Sequence, residues 1–498
     1  MPAFRPPKSS GDDVATTKIV RRLGHNESYQ LGLYMLNQYR GTSVSGRYQI
    51  PRPLANPDQQ EKLVGIVEAA LCDNIMKHHV LHVGILDATS SRPAFVQLDS
   101  LELRQHIEWQ FLDASAHFEA ALQHLTEIQI DAPYPRLNKQ PGWGVVVLHQ
   151  KGADFLEIMF TWSHPHADGM SGKIFHQSLI SSFFSRGMND KHPDMDAYTL
   201  GLPRSLPKLP PPIEQIMSLP LGTGYLVKMV IDDIRPPILT HFRSFTVDDS
   251  VLSQILAACR QHQTTLTGLF HGLVLAALAT HLNKGAASGF EAATTIDQRR
   301  FVPSAPEGNP WLEPKQTIGN FVSIMYHTFE PELVAKVRSA ALSTPEAPSA
   351  VLSEELAALI WEAAVQVRRE VSDKVDLGVR NDLTGTMRFV KDWRAQLSKV
   401  ARKPRHASWL ITGLGILDGE APPANESLEM NGEPSPTDSW RIRRAQFVLS
   451  AEVPGAALNI SPLPSRVSDS ALVVAGRMAS LMKPWDALSW LIWNSGWG

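Results

Sequence analysis

A two-lobed α/β protein is the fold class that this sequence predicts, and three observations predict it. The chain has 498 residues, too many for a single ordinary core. Stretches of helical and strand-like patterning alternate along residues 21–189. A stretch of mixed polarity then carries Pro193, Pro203, Pro207, Pro210, Pro211 and Pro212, where helix and central strand are both disfavoured, and the alternation restarts beyond it. The organisation expected is a disordered lead-in over 1–20, a first lobe over 21–189, a crossover over 190–240 and a second lobe over 241–498.

Taken in order, NESYQLGLYMLNQY reads as a helix and TSVSGRYQI as a strand. Leu63, Val64, Val67, Leu71, Ile75 and Met76 form one helical stripe over 59–79, and 80–86 follows as a strand. Residues 114–129 read as a helix. GVVVLHQ (144–150) and the apolar run from Phe155 to Trp162 are joined by Lys151, Gly152 and Ala153, which predicts a hairpin whose second strand is buried on both faces. Ile174, Phe175, Leu179 and Phe183 then mark a helix over 170–184. In the second half, 241–247 reads as a strand, 250–262 as a helix, and 264–282 as a strongly apolar helix with Thr264 and Thr265 as candidate caps. Strands are expected at 292–296, 320–329 and 409–413, a helix at 353–370, a strand pair at 446–453 and 457–461, and a last helix at 468–482.

Composition narrows the partners. A net charge of -3 gives no electrostatic case for nucleic acid, and a small ligand fits better. Cys72 and Cys259 both lie in apolar segments, so packing residues in a reducing, cytoplasmic location are expected rather than a disulfide framework. MPAFRPPKSSGDDVATTK holds no apolar run of the secretory kind. The window 266–282 has nearly the length of a membrane span but contains His271 and His281, which favours a buried core helix. Trp485, Trp490, Trp493 and Trp497 in the tail suit either a membrane interface or packing on the second lobe.

The chemistry concentrates at WSHPHADGMSG, where strand gives way to helix. Pro165 biases His164 toward extended geometry, and Gly169 is expected to supply a backbone angle that other residues resist. A histidine presented at such a corner suits general-base work, because a neutral imidazole is available near neutral pH. His164 is the chosen base. Asp168 is expected to hold the loop through an arginine, with Arg299 and Arg300 of IDQRRF as candidates. His166 is the rival base, but alternation points it away from His164 and makes it a loop or pocket-wall residue. His164, His166 and Asp168 are zinc-ligand types at i, i+2 and i+4, yet no other segment supplies the rest of a shell, so no metal is expected. His78, His79 and His82 read as solvated or partly packed. GLGILDG lacks the dinucleotide-loop spacing, and neither a G-x-S-x-G elbow nor a P-loop is present.

H-x-x-x-D-G over His164, Asp168 and Gly169, with NESYQLGLY, IDQRRFVP, IGNFVSIMYHTF and ITGLGILDG in order around it, resembles the acyl-CoA-dependent acyltransferases of the chloramphenicol acetyltransferase-like fold. Plant acyltransferases and peptide-synthetase condensation domains share that motif. The likeness is greatest to the fungal alcohol O-acetyltransferases. It implies two lobes of mixed sheets flanked by helices, a tunnel between them, acetyl-CoA as co-substrate with no permanently bound cofactor, an alcohol acceptor, and a monomer. Two departures stand out: D-F-G-W-G is absent, and Ile411 and Thr412 stand where serine and asparagine are common. Thr412 and Asn320 are the candidates for contacting the reacting carbonyl. A CoA-independent condensation-type reaction, N-acylation, and a non-catalytic binding protein are the alternatives.

Overall fold

The computed structural model describes residues 18–222, 240, 242–285, 287–342, 352–400, 407–417, 419, 439–450, 455–464 and 472–478. The Trp-rich tail, the acidic loop 420–438 and most of the lead-in lie outside the described residues. Ile19–Arg22, two of whose residues the sequence assigns to the lead-in, is a strand paired with Ala94–Gln97.

Two mixed sheets carry the site. The first has five strands in the order Arg441–Leu449, Thr42–Gln49, Phe155–Trp162, Trp143–Gln150 and Ile107–Leu112. Neighbours are antiparallel except the 107–112 and 143–150 pair. The expected hairpin is present, with Trp143 opposite Trp162. The 155–162 strand is central and almost wholly buried, which explains its unbroken apolar run. Phe160 stacks on Phe175 of the following helix at 4.0 Å and on Trp162 at 4.8 Å, so the strand and the helix leaving it share one aromatic core.

The second sheet has six strands in the order Phe242–Val247, Leu472–Met478, Leu458–Pro464, Trp409–Ile411, Phe290–Asp297 and Val322–Phe329. Two sequence expectations fail here. Residues 472–478 form a strand, not part of a last helix, and pair with both 242–247 and 458–464. LVVA is a short apolar run with two β-branched residues, which periodicity alone does not distinguish from a buried helix. The expected pair 446–453 with 457–461 does not form either. The 441–449 strand crosses to the first sheet and pairs with 42–49, whereas 458–464 stays in the second. Its register is set by a partner almost four hundred positions away in the chain, which adjacency in sequence does not reveal.

The apolar window forms a buried helix, Leu266–His281, as expected. Among the described residues, no helix is long and apolar enough to cross a membrane. Thr265 caps it by accepting from the Gly268 N–H, while Thr264 donates to the Ala364 carbonyl at 2.7 Å instead. That contact belongs to a close crossing with the helix Glu354–Leu377, where a Cβ at Gly272 would lie 2.4 Å from the Ile360 carbonyl oxygen. His271 is paid for inside this core: Trp409 Nε1 donates to its Nδ1 at 2.9 Å, so its Nε2–H donates to Thr294 Oγ1 at 2.9 Å. Thr294 in turn donates to His327 Nε2 at 2.8 Å, and His327 reaches the Glu370 carboxylate. Cys72 and Cys259 are buried, and burial pushes the thiols up to about 12 and about 11.

Burial also holds several first-lobe histidines neutral: His78 is pushed down to about 3, and His82, His106, His166 and His176 to about 4. The unfolded chain takes up protons on these side chains near pH 6.5, whereas the folded chain does so only near pH 4. Their contribution is therefore intact above about pH 6.5 and is lost as the pH falls, at about 1.4 kcal/mol per unit for each. A typical stability of about 5–15 kcal/mol is exhausted within roughly two units on that slope. We predict cooperative acid unfolding between about pH 6 and 4.5, followed by far-UV circular dichroism and tryptophan fluorescence; a native spectrum persisting at pH 4 would contradict it.

Candidate active site

The strand-to-helix corner lies at the seam between the two sheets. Its backbone is tied locally: the Ser163 N–H donates to Gly142 O at 2.7 Å, and Trp162 Nε1 to Ala167 O at 2.8 Å. The helix Gly169–Arg186 then begins with Asp168 as its N-cap, accepting from the Ser171 N–H at 3.0 Å. Gly169 has no left-handed backbone angle, contrary to the sequence expectation. Space explains it instead: a Cβ there would lie 2.8 Å from the Phe447 ring and 3.0 Å from Leu414, because the crossing strand 441–449 packs against the helix start.

Asp168 is the hub of the seam. Its Oδ2 accepts from Arg299 Nη1 at 2.6 Å and from the Phe321 N–H at 2.8 Å, and its Oδ1 from Arg299 Nη2 at 3.1 Å and Ser171 Oγ at 2.8 Å. Burial works to raise this carboxyl, but the fork of Arg299 with the Phe321 and Ser171 donors outweighs it and holds it below the usual carboxylate range. Of the two candidate arginines the short helix Gln298–Phe301 turns Arg299 inward, at 2% exposure, and leaves Arg300 exposed. The Arg299 guanidinium also donates to the carbonyls of Gly319 at 3.0 Å and Thr317 at 3.2 Å, and to Asp297 at 3.1 Å. Ser171 Oγ, its hydrogen given to Asp168, accepts from the Gly319 N–H at 3.1 Å. One buried ion pair therefore sutures the first lobe's turn to segment 317–321 of the second.

That segment delivers Asn320 to His164. Asn320 Nδ2 donates to the His164 carbonyl at 2.9 Å and stands 3.4 Å from its Nδ1. His164 is 8% exposed, with the Tyr39 ring at 5.6 Å. Burial lowers its pKa, while the charge of Asp168 and a hydrogen bond to its own backbone carbonyl push the other way; the net result is below the ordinary imidazole value. The imidazole is thus neutral at pH 7. Nδ1 is the ring nitrogen turned toward the residue's own carbonyl and the Asn320 amide, and Nε2 lies on the opposite edge of the ring.

The remaining candidates separate. His166 is buried with its ring nitrogens near Ser163 Oγ and Val83 O, both at 3.3 Å, and packs edge-on to Phe95 at 5.7 Å. These are a packing residue's partners. Thr412 is buried and accepts from Thr295 Oγ1 at 3.0 Å, which leaves its own hydroxyl hydrogen to donate. Among the described residues, no group of three His, Cys, Asp or Glu side chains is placed to hold a metal ion. His78 and His82 are buried rather than solvated. A cavity of about 340 Å³ lies elsewhere, among Glu68, Arg104, Trp109, Phe111 and Tyr198, and no site residue lines it. Sequence reasoning missed Ser171 and Asn26; the D-x-x-S spacing of an N-cap pair was a signal for the first, and nothing local marked the second.

Residues 96–231 match the model of the alcohol acetyltransferase family. A probable alcohol acetyltransferase of Fusarium pseudograminearum is 24% identical over 473 residues, covering 89% of this chain and 87% of the relative. Over most of its length this chain is similar to the fungal alcohol acetyltransferases. A second such protein, from Aspergillus fumigatus, is also 24% identical, over 90% of this chain and 93% of its own. These matches identify an acyltransferase enzyme. The fold is that of a trichothecene 15-O-acetyltransferase from Fusarium sporotrichioides, with a TM-score of 0.66 at 14% identity over 95% of this chain and 94% of that one. The first condensation domain of the CDA synthetase shares it more distantly, with a TM-score of 0.51 at 13% identity over 95% and 96%.

Proposed function

We propose that this acyltransferase moves an acetyl or other short acyl group from acyl-CoA to the hydroxyl of a small or secondary-metabolite alcohol, with His164 as general base and without an acyl-enzyme. The observation that carries the proposal is the setting of His164: buried, neutral, with Nδ1 turned toward its own carbonyl and the Asn320 amide; on this reading the proton sits on Nδ1 and Nε2 is the base. Both substrates would meet at the seam, the acyl thioester on one side of the imidazole and the alcohol on the other. Nε2 removes the hydroxyl proton as the alcohol oxygen attacks the thioester carbonyl carbon. The tetrahedral oxyanion accepts a hydrogen bond from Thr412, the C–S bond breaks, and the proton on Nε2 passes to the departing thiolate. The products are the ester and free CoA thiol.

Asp168 has no free lone pair turned toward the imidazole, because its oxygens are taken by Arg299, Ser171 and Phe321. Its part is to hold the corner. Asn320 sits on the base rather than on the reacting carbonyl, so its role in this mechanism is positional.

The test is thiol release from acetyl-CoA by purified protein across short, aromatic and terpenoid alcohols and a few amines. Release that requires an alcohol, with the ester recovered by mass spectrometry, is the expected result. Release only with amines would make the enzyme an N-acyltransferase. No release and no acetyl-CoA binding would overturn the proposal in favour of a CoA-independent reaction or a binding role.

A further inference from the structure

We propose that Asn26 is a positioning residue for the base, acting through Asn320; this rests on the reading of His164 above. Asn26 lies in the first turn of the helix His25–Met35 and is 5% exposed. Its Nδ2 donates both to the Val322 carbonyl at 3.0 Å and to Asn320 Oδ1 at 2.9 Å. A carboxamide can be turned either way, but here each step fixes the next. The Val322 carbonyl only accepts, so the nitrogen of Asn26 faces it. The same nitrogen then requires the oxygen of Asn320, and the nitrogen of Asn320 is left facing the His164 carbonyl, which also only accepts.

The direction of this chain matters to the imidazole. With the nitrogen of Asn320 inward, the His164 carbonyl is held at 2.9 Å and stays where the ring's own Nδ1–H can reach it. Reversed, the amide would set an oxygen against that carbonyl and 3.4 Å from Nδ1. It would compete for the Nδ1 proton and release the ring from the orientation that aims Nε2 at substrate. Besides the Asn26 bond to Val322, the backbone around Asn320 has anchors of its own: Gly319 is held by Arg299 and Ser171, Phe321 by Asp168, and Val322 pairs with Asp297. The part of Asn26 that no other anchor supplies is therefore which way one amide faces.

The experiment is a double-mutant cycle with a spectroscopic readout. Asn26→Ala is expected to lower kcat about 10- to 100-fold, as for other supports of a reacting group, with KM for acetyl-CoA within about twofold. In an Asn320→Ala background the same substitution should cost less than twofold, because its route to His164 is gone. In parallel, nitrogen-15 NMR of histidine-labelled protein, with His164→Ala to assign the signal, should show the Nδ1–H tautomer in the parent and a loss of that form in Asn26→Ala. Should Asn26→Ala fail to fold, the near-isosteric Asn26→Asp removes the same donor and is read the same way. An unchanged tautomer, or an equal loss of kcat in both backgrounds, would overturn the inference. The NMR result stands independently of the substrate, so failure of the acyl-transfer reading and failure of this one are told apart.

Discussion

Substituting His164 by alanine lowers acyl transfer by about 10²- to 10⁴-fold, the usual range for removal of a positioned general base. Folding survives it. The ring packs beside the Asn320 amide and the Tyr39 ring, and its loss leaves a small cavity and a melting temperature lowered by only a few degrees. The side chain is more buried than a corner residue lining an open passage would be, which makes that modest cost real rather than zero. Thiol release and a thermal melt on the same preparation check both halves. Parent-level turnover by the purified variant would remove His164 from the mechanism.

Substituting Arg299 by alanine has the larger effect on the fold. Arg299 and Asp168 are 2% and 1% exposed, and removing one partner leaves the other as an unpaired charge in the seam. Breaking such a pair costs about 3–5 kcal/mol, a large share of a typical domain's stability. The Gly319 and Thr317 carbonyls lose donors as well. Urea denaturation should show a midpoint lowered accordingly, with activity falling alongside because segment 317–321 loses its anchor. Arg299→Lys should be intermediate: it keeps a charge but not the fork that reaches carboxylate and carbonyls together. Asp168→Asn should also lose stability. If that variant melted like the parent yet turned over slowly, Asp168 would be orienting the imidazole instead of holding the loop.

Much of the site was legible because its geometry is local. The run from Phe155 to Trp162, the turn through Pro165 and the helical spacing of Ile174, Phe175, Leu179 and Phe183 each act within a few residues, so strand, corner and helix followed from the residues alone. Asp168 was likewise expected to hold the loop, through an arginine; that it also caps the following helix is a further local bond. The reason for Gly169 was not. It is a contact with Phe447, a residue far along the chain, and nothing near position 169 encodes it.

By itself, then, the sequence determined the α/β class, the H-x-x-x-D-G corner, the buried helix 266–281 and the kinship with acyltransferases, all of which rest on patterns contained in short windows. Only the tertiary structure decided between Arg299 and Arg300, sent 441–449 into the first sheet, made 472–478 a strand, and strung Asn26 through Asn320 to His164. Those outcomes depend on which distant backbone edges and buried polar groups find one another. A buried donor or acceptor must be paired, but its residue type says only that a partner is needed and not where along the chain the partner lies.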